Sequence, residues 1–285
     1  MDSTIRMSLA KQWQEIVARP EEDLDLAEAA LVIATEEYRN LDVLAYLRQI
    51  DEMAGTLKGR LRRDISTAET VIALNCYLFE ELGFAGNAAD YYDPRNSFLN
   101  EVLDRRLGIP ITLSMLYVEI GRRVGLAVRG VSFPGHFLVR CLVRDGAVVL
   151  DPYARGASLG LEDLRQRLRA LRGDTAEVSD EAVRQMLVGA NKKDILARML
   201  RNLKSIYLQK RDLERALSAS ARALVLDPGA AEEYRDRGEI YFGLECFRAA
   251  LADYQQYLQL RPKAADVDEV RGKVAELQQL AARLN

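Results

Sequence analysis

Hydrophobic positions in the first part of the chain recur at helical spacing. Leu24, Ala27, Leu31 and Ala34, then Val43, Leu47, Ile50 and Ala54, are separated by polar residues in the helical rhythm, so residues 7 to about 92 read as helices. Ser66-Thr-Ala-Glu69 has the form of a capping box ahead of Val71, Ile72, Leu74, Tyr77 and Leu78, with Gly83 as the stop. A loop over Gly86–Pro94 follows, and Asn96 or Ser97 caps a helix carrying Leu99, Val102 and Leu103. Pro110 suits the first turn of the next helix, where its missing N–H has no intrahelical partner anyway. Leu113, Leu116, Tyr117, Ile120 and Val124 form its stripe, and Gly125 ends it. The period then changes to two. Alternating apolar residues flank Asp145-Gly146, a strong hairpin signal, so a small antiparallel sheet is predicted around 127–152, packed on the helix from Pro110 to Val124.

Beyond the sheet, Ala154–Gly160 reads as a loop, Leu161–Leu171 as a helix, Arg172-Gly-Asp-Thr as a break, and a further helix starts near Asp180. The last ninety residues repeat. Leu226-Asp-Pro228 recurs as Leu260-Arg-Pro262, and the same 34-residue offset aligns Tyr207 with Tyr241, Ala216 with Ala250 and Leu217 with Leu251. That is the period of tetratricopeptide helix pairs. Gly238 sits where the repeat needs a small residue, whereas Lys204 departs from it and makes the first unit degenerate. Two repeats, about 197–230 and 231–264, are short of the number that stands alone. A capping helix at 267–283 and a helix at 183–191, with Val183, Met186 and Leu187, are expected to supply the missing neighbours. The fold class is α+β: a helix-rich domain with a small sheet over 1–178, then an all-α repeat region over 179–285.

Composition narrows the function. The net charge of −3 asks for no nucleic-acid partner, and the basic clusters Arg60–Arg63 and Arg165–Arg169 read as solvated helix faces. Cys76, Cys141 and Cys246 are odd in number and far apart, which argues for a reducing compartment; Cys76 reads as a core filler. One histidine and no paired cysteine motif leave no zinc site, and no cofactor is expected. The N-terminus has no targeting pattern and no apolar run reaches membrane-spanning length, so a cytoplasmic protein without membrane contact is expected.

Helix, hairpin, His136 and Asp151-Pro152, in this order, resemble the core of the transglutaminase-like superfamily, whose members carry a Cys-His-Asp triad. Gly108 and Gly125 match the two glycines of that pattern, His136 the histidine, and Asp151-Pro152 the aspartate and its proline. The position of the nucleophilic cysteine is held by Pro110, which has no nucleophile. Asn96-Ser-Phe-Leu, Arg106-Leu-Gly-Ile-Pro, Pro134-Gly-His and Arg235-Asp-Arg-Gly make nearly the whole chain similar to the bacterial SirB-type regulators. In these a transglutaminase-like domain is fused to tetratricopeptide repeats. The resemblance implies a vestigial site at Ser114, His136 and Asp151, with Asn96, Pro110 and Arg140 around the pocket.

Strand parity tests that site. His136, Leu138, Arg140 and Leu142 share one face, and Cys141 points to the other. A two-residue Asp145-Gly146 turn sets Arg140 opposite Asp151, about 13 Å along the strand from His136. An Arg140–Asp151 ion pair therefore competes with the His136–Asp151 contact that the resemblance implies. Ser114, one turn beyond Pro110, is either a substitute nucleophile or a small residue that lets the hairpin approach the helix, as Gly121 would.

Three readings follow. The chain is a non-enzymatic scaffold that binds a protein or peptide through its inactive site and through repeat residues such as Tyr234, Tyr241 and Phe242. Alternatively it is a hydrolase or acyltransferase using Ser114 with His136 and Asp151, or the repeats are structural support alone. The sequence also leaves a homo-oligomer open.

Overall fold

The computed structural model describes residues 3–144, 146–173 and 178–283, with no side-chain description for residues 3–9, 172 and 280–283. The chain divides into two compact units, 1–195 and 196–285, so residues 179–195, read above with the repeats, lie in the first unit.

The first unit opens with α1 (Ser3–Val17), α2 (Leu26–Ala34), α3 (Val43–Arg60) and α4 (Thr67–Asn75). The predicted capping box is present: the Glu69 N–H donates to Ser66 Oγ at 3.2 Å, and the Ser66 N–H donates to Glu69 Oε2 at 2.9 Å. Helix α4 does not run unbroken to Gly83. Over Cys76–Glu81 it widens into π-helix, and Ile72 on its outer side is exposed.

A short parallel pairing of β1 (Ala85–Gly86) with β2 (Leu107–Gly108) brackets α5 (Leu99–Arg105). Then comes α6 (Pro110–Arg123), buried all round from Pro110 to Gly121. An α-helix without a polar face belongs in the middle of a core. Gly121 allows the sheet to approach, because a Cβ there would lie 3.0 Å from Val128 Cγ2.

The sheet is larger than the predicted hairpin. Its strands β3 (Val128–Val131), β4 (Leu138–Val143), β5 (Gly146–Asp151) and β6 (Ala157–Leu159) form an antiparallel meander in that order. Strand β6 occupies the segment read as loop. Val143 faces Gly146 and Val139 faces Leu150, so the turn sits one residue earlier than Asp145-Gly146 and the pairing is two residues off the predicted register. Asp145 itself, like Asp174 and Thr175 of the expected break, lies outside the described residues.

Helix α7 (Leu161–Arg172) and the short α8 (Asp180–Gln185) cover one face of the sheet. Leu164, Leu168 and Val183 close over Val131, Phe133, Leu138 and Val149, with Met186 and Leu187 alongside. Val183 and its neighbours thus complete the core of the first unit, in place of the expected role as a neighbour to the repeats. The segment after α8 is tied far back along the chain. The Lys192 ammonium donates to the carbonyls of Glu21, Glu22 and Leu24 at 2.7, 3.3 and 2.6 Å, and the Lys192 N–H donates to Glu21 Oε1 at 2.6 Å.

Helix α9 (Lys192–Gln209) leads to α10 (Leu213–Leu226), α11 (Ala231–Gly243), α12 (Phe247–Leu260) and α13 (Val267–Arg283), the helix pairs and closing helix that the 34-residue period predicts. In the second unit, Ala231, Ala250, Tyr254, Tyr257, Val270 and Leu277 pack together. A Cβ at Gly238 would lie 2.8 Å from the Tyr254 ring, which is why that position is small. The degenerate Lys204 is buried with its charge matched: Nζ lies 2.7 Å from Glu233 Oε1 and 2.8 Å from Asp236 Oδ2, and Ser220 Oγ donates to Glu233 at 2.7 Å. Removing one partner of a buried ion pair leaves an uncompensated charge, at a cost of about 3–5 kcal/mol, whereas replacing both by apolar residues is often neutral. Lys204→Ala should therefore destabilise the second unit by that amount in urea titrations, and Lys204→Met with Glu233→Leu by far less. Equal losses in the two variants would refute this account.

Candidate functional site

The site starts at the head of α6. Pro110 takes the first helical position, and Thr112 serves the turn: the Ile109 N–H donates to its Oγ1 at 3.1 Å, and Oγ1 donates to the Asn96 carbonyl at 2.8 Å. Asn96 is fully buried. Its side-chain carbonyl accepts from Asn87 at 3.0 Å, and its amide donates to the Asp90 and Tyr91 carbonyls at 2.7 and 3.3 Å. The residue expected to line the pocket therefore pins the 87–92 loop beside it, leaving Tyr91 and Tyr92 exposed.

His136 and Asp151 meet. His136 Nε2 lies 3.0 Å from Asp151 Oδ1, and since an ionised carboxylate only accepts, Nε2 carries the proton. The contact depends on two departures from the flat hairpin. The observed register continues so that Asp151 falls opposite Leu138, two residues from His136. The chain also turns before the strand starts, with the His136 N–H donating to the Phe133 carbonyl at 3.1 Å and Gly135 at φ +67°. A left-handed residue there is easiest for glycine.

The competing Arg140–Asp151 pair does not form. Arg140 faces Val149 across the strands, and the cation on Asp151 is Arg167, whose Nη2 lies 2.6 Å from Oδ2. The N–H groups of Tyr153 and Ala154 donate to Oδ1 at 3.1 and 3.3 Å. Burial alone would raise the Asp151 carboxyl, but the hydrogen bond and charge of His136, then those of Arg167, hold it below the usual carboxylate range. Arg167 was hidden within a basic cluster on a helix that also carries the buried Leu164 and Leu168. Its neighbours pair with acidic residues of α7 and α8, Arg165 with Glu162 and Asp180 and Arg169 with Glu162. The distinguishing signal would have been Arg167 beside Leu168 and three residues after Leu164, on the side turned toward the sheet.

Tyr153 completes the rim. Its ring lies edge-on to His136 with centroids 6.0 Å apart and to Tyr91 at 6.2 Å. It rests against Gly86, where a Cβ would come within 2.5 Å of the ring. Ser114 is completely buried, and its Oγ donates to the Phe137 carbonyl at 3.3 Å. Cys141 is buried in the sheet, and burial pushes its thiol above the ordinary value. In the repeats, Tyr234 and Tyr241 pack against the second unit's core. The Arg237 guanidinium lies over both rings at 5.6 and 5.7 Å, and Phe242 is partly exposed, edge-on to Phe247. No cluster of metal-ligating side chains occurs among the described residues, and no described helix is long and apolar enough to cross a membrane.

A histidine–aspartate pair beside the head of a buried helix, under a small antiparallel sheet, defines the architecture of one class of proteins: the chain belongs to the transglutaminase-like superfamily, whose family model matches residues 44–201. A tetratricopeptide repeat model matches residues 203–275. The chain is 41% identical over 273 residues to a UPF0162 protein of Xylella fastidiosa, covering 96% of this chain and 97% of that one. Protein SirB1 of Salmonella typhimurium is 25% identical over 226 residues, 79% of this chain and 82% of that protein. F-box only protein 21 of Homo sapiens shares 33% identity over 148 residues, 49% of this chain and 22% of its own length.

The Asp151 partners have a pH consequence. A carboxyl whose folded pKa lies below its unfolded value contributes stability that is present above about pH 4 and is lost as pH falls through the folded value. Chemical denaturation between pH 6 and pH 2 should show that loss in the first unit, and Asp151→Asn should be less stable at pH 6 and shallower in its acid dependence. An unchanged acid limb in Asp151→Asn would show that other carboxylates carry it.

Proposed function

We propose that this protein is a non-enzymatic transglutaminase-like scaffold with a regulatory role, which binds a protein or peptide through its vestigial site and its repeats. The observation that carries this reading is Pro110 at the head of α6. In the family pattern that position holds a cysteine, whose thiolate the helix N-terminus and the adjacent histidine activate. Here the base and its orienting carboxylate persist at 3.0 Å, with a proline where the nucleophile belongs. The hydroxyl of Ser114 donates to the Phe137 carbonyl, which argues against its use as a substitute nucleophile.

What remains is a recognition surface: a half-buried imidazole, the Arg167 guanidinium, and the rings of Tyr91, Tyr92 and Tyr153. Aromatic side chains around a polar centre are common at protein contacts. Tyr234, Tyr241 and Phe242 are the corresponding candidates in the repeats. The three free cysteines suit a reducing, cytoplasmic setting.

The test is ammonia release from glutamine peptides, with and without a thiol-alkylating reagent, beside hydrolysis of a nitrophenyl ester by the wild type and by Ser114→Ala and His136→Ala. Turnover should stay at the buffer rate throughout. Alkylation-sensitive release would identify a displaced cysteine nucleophile, and ester hydrolysis lost in both variants would establish the Ser114 enzyme instead.

A further inference from the structure

Arg140 is left out of the His136 centre and lines a groove of its own. The groove has a volume of about 630 Å³ and lies over the end of β4 and β5, between the sheet and α7–α8. Its apolar lining residues include Val149, Leu159, Leu161, Leu164, Leu187 and Val188, the last 70% exposed. Its charged lining residues are Arg140 and Arg184, and no aspartate or glutamate lines it.

Arg140 stands directly opposite Arg129 in the β3–β4 pairing. Like charges at such a cross-strand position are destabilising. Among the described residues, neither Arg129 nor Arg140 has a carboxylate within 4.0 Å. Glu21 and Glu22 line the adjoining hollow on the Arg129 side, but Glu21 accepts from the Lys192 N–H. Arg184 has Asp180 alone, at 3.9 Å, and the other oxygen of that carboxylate is taken by Arg165. Arg140 and Arg184, both lining the groove, form a surface whose charge is complementary to a carboxylate-bearing ligand.

We infer that this groove docks an acidic peptide segment of a partner protein, with one apolar side chain seated between the sheet and α8 and flanking carboxylates on Arg140 and Arg184. A peptide fits better than an acyl chain. The groove is open to solvent, and its wall includes Ser158 and Leu159 of β6, the edge strand of the sheet, alongside which an extended peptide can add. An acyl chain needs an enclosed apolar channel. This surface is separate from the His136 centre, so the proposal stands whether or not that centre binds anything.

The test is fluorescence anisotropy of the full-length chain with a labelled heptapeptide alternating glutamate and leucine, beside a copy with glutamine for every glutamate. The acidic peptide should bind saturably and more tightly at low salt, and the glutamine copy at least tenfold more weakly. Arg140→Glu and Val188→Asp should each weaken binding at least tenfold. Arg140→Lys should recover part of the loss, because charge remains without the bidentate fork, and Arg63→Glu, the same charge change at an exposed residue that does not line the groove, should have no effect. Circular dichroism of each variant confirms its fold. The inference is overturned if the two peptides bind equally, if Arg140→Glu binds like the wild type, or if Arg63→Glu weakens binding as much as Arg140→Glu does. It is also overturned if the chain ignores the peptide and binds vesicles of phosphatidylglycerol and phosphatidylcholine through Arg140, which would make the groove a lipid-headgroup site.

Discussion

A carboxylate that is 1% exposed must be fully matched by its surroundings, and around Asp151 the first unit is assembled to do so. The matching groups come from the loop before β4, from α7, and from the turn after β5. Each imposes a condition. The loop must curl at Gly135 to bring the imidazole back, and Leu171 of α7 lies close enough to crowd any side chain there. The turn after β5 must lay the Tyr153 ring on Gly86, which places the β1–β2 pairing beside the same site. One ion thus fixes the relation between sheet, covering helix and loop.

Most of the architecture was legible in the pattern of the chain. The stripe over Pro110–Val124 marked a buried helix, and the 34-residue period located α10 to α13, because both signals come from burial repeated along an element. What escaped were features decided by one residue's worth of geometry. The hairpin register turned on whether Gly146 paired with Val143 or lay in the turn, and it decided whether Asp151 met His136 or Arg140. Strand β6 is three residues long, too short for alternation to declare itself. Arg167 sat in a cluster whose other arginines pair with acidic residues of the helices, and Val183 had the helical pattern of a repeat neighbour while packing on the sheet. Pattern reports which face is buried and is silent on what buries it.

Pro110 shows how local stability and chemistry compete for one position. A nucleophile at the head of a helix depends on the unsatisfied N–H groups there. A proline in the same place contributes a backbone already shaped for the first turn and no reactive atom. Thr112 and Asn96 support that turn without any help from a substrate. His136 and Asp151 also tie the loop before β4 and α7 to the sheet, so their presence does not by itself imply turnover.

The clasp formed by Lys192 on the carbonyls of Glu21, Glu22 and Leu24 joins positions 168 to 171 residues apart. A ribosome delivers the chain from the N-terminus, and domains fold as units when their sequence is available. The loop at residues 20–24 therefore emerges early and waits for its partner until most of the protein has been made. The first unit cannot be finished co-translationally from its own helices and sheet alone, since it closes only when the segment leading into the repeats has left the exit tunnel. The repeats, whose packing joins near neighbours in sequence, carry no such delay.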